Sequence, residues 1–172
     1  LRIVERSLVV EVAADGQGGL EVQKGYPRVD ARMKAIEVPM LAKGILTGDG
    51  AKKCLEHGVD GIIVSNHGGR ALDYGPSTLE VLAEVVEAVG GRVPVLIDSG
   101  FRRGADVLKA LALGADAVCL GRASRWGLGA FGEPGAQKVL EIVNAELKQA
   151  MASVGAASLA AIDRHIVKTN FP

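Results

Sequence analysis

Gly61-Ile62-Ile63-Val64-Ser65-Asn66-His67-Gly68-Gly69-Arg70 is the stretch on which the reading of this chain turns. Its first four residues form a short apolar run rich in β-branched side chains, bounded by polar and glycine residues, and such a run predicts a strand. Because no residue of the run is polar, both faces must be covered, which is the condition of a parallel sheet. The pattern repeats on either side. Val38-Pro39-Met40-Leu41-Ala42 leads into Lys43, Val93-Pro94-Val95-Leu96-Ile97 into Asp98, and Ala117-Val118-Cys119-Leu120 into Gly121. Amphipathic stretches follow, predicting helices over residues 48–56, 77–89, 103–113 and 134–154. Gly58, Gly90 with Gly91, and Gly114 stand just past apolar-periodic segments, where a left-handed residue ends a helix. In the second helix Leu79, Leu82, Val85, Val86 and Val89 make a buried stripe, and Ser77 with Glu80 reads as a capping box. Strand and helix in alternation predict an α/β fold around a parallel sheet.

Residues 1–37 read as a separate N-terminal segment. Leu8-Val9-Val10-Glu11-Val12 and Leu20-Glu21-Val22 flank the glycine-rich stretch 15–19, which suggests a β-hairpin with a long connection. The chain begins with Leu, so we expect a fragment of a longer protein. Its 172 residues, 48% of them hydrophobic, suffice for one domain with a real core. Lys and Arg together number 20, as do Asp and Glu, and no block of like charge offers itself to nucleic acid or anionic lipid. The longest apolar runs fall far short of the roughly 20 residues that span a bilayer, so no integral membrane segment is expected. Leu1 to Val12 carries charges throughout and lacks the pattern of a signal peptide. Cys54 and Cys119 have neither CxxC spacing nor clustered histidines, which argues against a metal site. They are expected to be buried thiols in a reducing compartment, and the location expected is cytoplasmic.

Each polar cluster falls at the C-terminal end of a predicted strand, where barrel and open α/β enzymes build their sites. Gly100 and Gly121 let main chain approach an anion, Arg102 and Arg122 can donate paired hydrogen bonds, and the following helix N-termini add favourable dipole, so a phosphorylated ligand fits. The plainer alternative is loop glycines beside solvated arginines that pair with Asp98 or Asp106. His67, between Asn66 and a glycine pair, can take a proton, while Arg70 can hold a carboxylate through two hydrogen bonds. A strand-end histidine can equally be structural. Lys43 ends an apolar strand, so its ammonium either meets an anion at the mouth of the sheet or snorkels to the surface. His57 and His165 read as surface residues, the former at a helix C-terminus.

The strings Leu41 to Ile45, Gly61 to Arg70 with Leu72-Asp73, Asp98 to Ala115, and Gly121-Arg122 with Trp126-Gly127 resemble the FMN-dependent 2-hydroxy acid oxidases and dehydrogenases, a family that includes glycolate oxidase, lactate oxidase and mandelate dehydrogenase. The resemblance runs from about residue 36 to the end. It implies that residues 38–172 are an FMN-binding half barrel, the last four βα units of a TIM (β/α)8 barrel, and that FMN is the cofactor. By position it also implies that Lys43 stabilises negative charge at the flavin N1 and O2 edge, Ser65 lines the flavin, His67 is the general base and Arg70 grips the substrate carboxylate. Asp98 matches the residue that binds the ribityl chain, and Gly100, Arg102, Gly121 and Arg122 match the phosphate cradle. Ser99 and Phe101 stand where many members have Gly and Val. The activity implied is oxidation of a small 2-hydroxy acid to the 2-keto acid. The first four units, with their pocket tyrosines and the aspartate that orients the base, are not recognisable. This keeps a second possibility open: a non-catalytic FMN-binding or assembly module that works as a homo-oligomer or with a missing N-terminal half. A flavin-dependent isomerase of isopentenyl diphosphate would share the phosphate loops, but the base and carboxylate-binding arginine within residues 65–70 suit a hydroxy acid better.

Overall fold

In the computed structural model, residues 8–11 and 38–169 are described. Strands β1 (Leu8–Glu11), β2 (Met40–Ile45), β3 (Gly61–Val64), β4 (Val95–Ile97) and β5 (Ala117–Val118) form one sheet, neighbours in the order β1-β2-β3-β4-β5 and parallel throughout. Helices α1 (Gly48–Glu56), α2 (Thr78–Val89) and α3 (Gly104–Ala112) connect successive strands, and α4 (Arg122–Ser153) follows β5. An open doubly wound sheet reverses its strand order at a switch point, whereas this order follows the chain without reversal, as in an arc of a (β/α) barrel.

The segment 8–11 is a strand, as its β-branched residues suggest, but its partner among the described residues is β2. It runs parallel to that strand, with Leu8 opposite Met40 and Glu11 opposite Lys43. The described residues therefore hold five strands where the sequence suggested four in the barrel. The sequence also suggested a hairpin partner for this strand across the glycine-rich stretch 15–19. Its returning limb, 20–22, and the segment boundary at 37 lie outside the described residues.

Side chains alternate along the strands with a period of two. Ala42, Ile62, Val64, Val95 and Ile97 pack outward against Leu82, Val85 and Val89 of α2 and Ala110 of α3, forming the larger core. Leu41, Ile63 and Leu96 face the other way and form a second apolar cluster with Ala117 and Cys119. Fully burying a side chain such as Ile62, Leu82 or Ile97 contributes about 1.5–3 kcal/mol each, so the outward layer carries most of the fold's hydrophobic stabilisation.

The helix ends are secured locally. Thr47 caps α1 by accepting the Gly50 N–H at 3.0 Å. The expected capping box on α2 is present, with Glu80 taking the Ser77 N–H at 2.9 Å. Gly90 ends that helix at φ 59°. Helix α4 breaks at Phe131 and Gly132, so the predicted helix from residue 134 is its second limb. The first limb, starting at Arg122, was not anticipated. Gly127 and Gly135 meet main chain to main chain across the break, and Gly104 lies equally close to the main chain of Glu146 and Leu147. At the opposite edge of the sheet, Asp60 accepts the Met40 N–H and Asp116 the Val95 N–H, both at 2.8 Å. These latches tie the bottom of the sheet and leave the C-terminal edge for chemistry. No helix among the described residues is long and apolar enough to cross a membrane.

Candidate active site

The strand periodicity that fixes the inner apolar cluster also fixes the site. Two residues beyond Leu41, Ile63, Leu96 and Ala117, and on the same face, come Lys43, Ser65, Asp98 and Cys119, so polar groups follow the inner apolar cluster toward the C-terminal edge, with Lys43 paired in register with Ile63 and Ser65, Asp98 and Cys119 one step further on. A bulge between Lys43 and Ile45, with Gly44 at φ 101°, ends the regular pairing of β2 beside the lysine. The Lys43 ammonium lies 3.6 Å from Asp98 Oδ2 and 3.4 Å from His67 Nδ1, and it bridges the two. An ammonium only donates, so Nδ1 is the acceptor of that pair.

The loop after β3 is shaped by its own polar side chains. Ser65 is fully buried beneath the site, and its Oγ accepts the His67 N–H at 3.1 Å. Asn66 accepts the Gly68 N–H at 3.0 Å and donates to the Pro76 carbonyl at 3.1 Å, pinning both ends of the loop. His67 itself adopts φ 55°, in the left-handed region. After β4, Ser99 at φ 76° donates to Asp98 Oδ1 at 2.7 Å and accepts the Gly68 N–H at 3.1 Å.

Together these loops surround an open cleft of about 450 Å³, within the usual size of ligand sites. Lys43, His67, Arg70, Asp98, Gly100, Arg102, Gly121 and Arg122 all line it. Of the residues singled out from the sequence, only Ser65 lies off the wall. Its place is one step below. The cleft also includes Ser99, Cys119 and Arg125, which the sequence reading did not assign. Arg125 was discoverable, since it follows Arg122 by three residues and so shares its face of α4. Cys119 was hidden in an apolar run.

The paired-arginine alternative does not hold. The Asp98 carboxylate is engaged by Lys43 and Ser99, and Asp106 accepts the main-chain N–H groups of Arg102 and Arg103, each at 3.0 Å. Arg102 instead lies over the Trp126 ring, 5.1 Å from its centroid, and Arg122 Nη2 approaches the Gly68 carbonyl at 3.5 Å. Five cationic side chains thus share the cleft with one carboxylate. Beyond their chain neighbours, no described atom comes within 4 Å of where a Cβ would stand on Gly100 or Gly121, and Gly100 has φ 90°. Both glycines therefore leave their main chain open to a ligand. Two exposed glycine backbones, two guanidinium groups without a carboxylate partner and the start of α4 together could receive a phosphate.

The thiols are quiet. Burial pushes Cys54 up to about 11. Cys119, half-buried rather than buried as expected, is raised first by burial and then by the Asp98 carboxylate, with Lys43 opposing. Neither behaves as a reactive thiolate. No group of His, Cys, Asp and Glu suited to a metal occurs among the described residues.

The class is that of a parallel β/α barrel arc with a cationic, glycine-lined cleft at its C-terminal edge, beside a strand-end histidine and lysine. Within that class, the chain belongs to the FMN-dependent dehydrogenase family, which it matches over residues 9–169. It is 55% identical over 133 residues to 2-hydroxyacid oxidase 1 of Mus musculus, covering 77% of this chain and 36% of that protein. To a peroxisomal (S)-2-hydroxyacid oxidase of Arabidopsis thaliana it is 53% identical over 158 residues, 92% of this chain and 44% of the relative. A crystal structure of mandelate oxidase with (S)-2-phenylpropionate superposes with a TM-score of 0.76 at 44% identity, covering 79% of this chain and 41% of that one. The chain spans less than half the length of these relatives. The donor set suits the family's cofactor: guanidinium groups and open glycine backbone for its phosphate, Asp98 for a hydroxylated chain, and Lys43 for the electron-rich edge of a ring.

Proposed function

We propose that this chain is the C-terminal, FMN-binding half of a barrel that oxidises a small 2-hydroxy acid to the 2-keto acid. The observation that carries the reading is the meeting of Lys43, His67 and Asp98 at one edge of a cleft whose other walls are arginines and glycine backbone. Arg102 and Arg122, with the main chain of Gly100 and Gly121, hold the phosphate, Asp98 the ribityl chain, and Ser65 supports the floor. Arg70, exposed at the mouth, fixes the substrate carboxylate through two parallel hydrogen bonds. His67 takes a proton from the hydroxyl-bearing carbon unit, and Lys43 offsets the negative charge that follows. When bound, FMN supplies the two-electron acceptor that the side chains cannot.

The test uses the complete barrel that carries this chain. Anaerobic mixing with lactate, glycolate and mandelate should bleach the flavin absorbance, and His67→Ala should slow this by about a hundredfold to ten-thousandfold with FMN still bound. Reduction of the variant at the parental rate would end the assignment. A second reading draws on the span of the chain: a half barrel that binds FMN without catalysis and is completed by preceding residues or by another copy. FMN held by the chain alone, with no hydroxy acid able to reduce it, would favour that reading. We place the protein in the cytoplasm on the strength of its two free thiols, a proposal that peroxisomal relatives make testable by fractionation.

A further inference from the structure

Among the described residues three that are not glycine have positive φ: Tyr74, exposed on a loop, and His67 and Ser99, which flank the cleft. Strain of this kind persists where the surroundings over-determine the conformation, and it gathers at functional sites. A glycine at position 99 would adopt φ 76° without penalty, so the serine is costly unless its hydroxyl matters. That hydroxyl uses its proton on Asp98 Oδ1 and a lone pair on the Gly68 N–H. The other oxygen of Asp98 meets Lys43, and Lys43 meets His67, the chain neighbour of Gly68. The contacts form a closed circuit through His67, Gly68, Ser99, Asp98 and Lys43, and Ser99 is the link that joins the β4 loop to the β3 loop.

We propose that Ser99 is a positioning residue: its hydroxyl sets the Asp98 carboxylate against Lys43 and holds the His67 loop at the height where the base works. The fold does not depend on it. The Gly68 N–H keeps a second acceptor in Asn66 Oδ1, and the main chain at 98 is fixed independently, because Thr78 Oγ1 donates to the Asp98 carbonyl at 2.8 Å. Removing the hydroxyl therefore loosens the placement of side chains while relieving backbone strain. The inference rests on the proposed hydroxy acid oxidation.

Ser99→Gly in the complete barrel tests it. The apoprotein should unfold at or above the parental temperature, and amide exchange across residues 65–70 should accelerate. With FMN bound, the limiting rate of flavin reduction should fall about tenfold while the half-saturating substrate concentration moves by less than about twofold, the signature of misplacement rather than lost binding. Ser99→Ala, which keeps the Cβ and its strain, should show the same rate loss with a lower unfolding temperature. A parental limiting rate in Ser99→Gly, or unchanged exchange at 65–70, overturns the proposal. So does a rate loss in Ser99→Gly accompanied by a lower unfolding temperature and weaker FMN binding, since that assigns Ser99 to the fold. A parent that no hydroxy acid reduces would instead remove the proposed function, and this inference with it.

Discussion

Gly121→Ala separates the site from the fold. Gly121 precedes α4 at φ −101° and ψ −92°, just outside the helical region, and beyond its chain neighbours no described atom lies within 4 Å of the position its Cβ would take. Alanine is a poorer helix-capping residue than glycine and is mildly strained in this backbone, and the reduced freedom of the unfolded chain offsets only part of that, so the fold should lose about 1–2 kcal/mol. On the ligand side nothing offsets the change. The methyl group occupies the space through which a phosphate would reach the main chain, and the loss of one charge-assisted hydrogen bond, about 1.5–3 kcal/mol, weakens binding about ten- to a hundredfold. Titration of the apoprotein of the complete barrel, followed by flavin fluorescence, measures this directly. FMN affinity should fall by that factor, whereas riboflavin, which lacks the phosphate, should bind as it does to the parent. Equal losses for both flavins would mean that the methyl disturbs the cleft generally. Unchanged FMN affinity would remove Gly121 from the phosphate site.

Two further substitutions probe the scaffold beneath. Gly104→Ala places a Cβ into the main chain of Glu146 and Leu147, which can yield only if α4 moves, so denaturant unfolding should report a loss of about 2–3 kcal/mol with an unchanged slope, and a loss below about 0.5 kcal/mol would refute the close packing. Glu146 is held below its ordinary 4.5 first by the Arg103 guanidinium and then by the Gly104 N–H, with the Arg103 Nε at 2.8 Å. A carboxylate lowered in the folded state adds stability above its ordinary value and loses it as pH falls through the lowered one. Glu146→Gln should therefore flatten the acid limb of the stability curve and leave the alkaline limb unchanged. An acid limb as steep as the parent's would show that the pair contributes nothing.

Much of this arrangement was legible because parallel strands and barrel loops leave distinct marks in sequence. Continuous apolar runs such as 61–64 fixed where strands lie, and the polar residue after each run marked the functional edge. Less visible was anything set by through-space closure. The break in α4 hides in a glycine-rich stretch, since Gly127 and Gly135 are interpretable only once their main chains are seen to touch. The parallel pairing of residues 8–11 with β2 was not visible, because a strand carries no sign of its partner or that partner's direction. Ser99 defied local reasoning altogether: propensity assigns positive φ to glycine, and only the acceptor for Gly68 and the carboxylate of Asp98 explain a serine there.

The spacing of two that relates the apolar and polar layers reaches further than any single motif. Once Leu41, Ile63, Leu96 and Ala117 are known to face inward, the residues two steps on are committed to the same face by backbone geometry, whatever their chemistry. This places Cys119 beside Asp98, with Lys43 one step lower in register and its ammonium reaching up to the carboxylate, and both groups act on the thiol. A half-buried thiol raised by burial and by a carboxylate offers a small, neutral wall where a charge would upset the balance between lysine and aspartate. These four inward residues thus supply one cation, one anion and two neutral groups, and the excess positive charge of the cleft comes from the arginines of the loops above them. In this geometry the floor is electrically balanced and the mouth is cationic. A phosphate and a carboxylate would be drawn to the rim, leaving the uncharged part of a bound cofactor over the floor, where Lys43 and His67 can act on it.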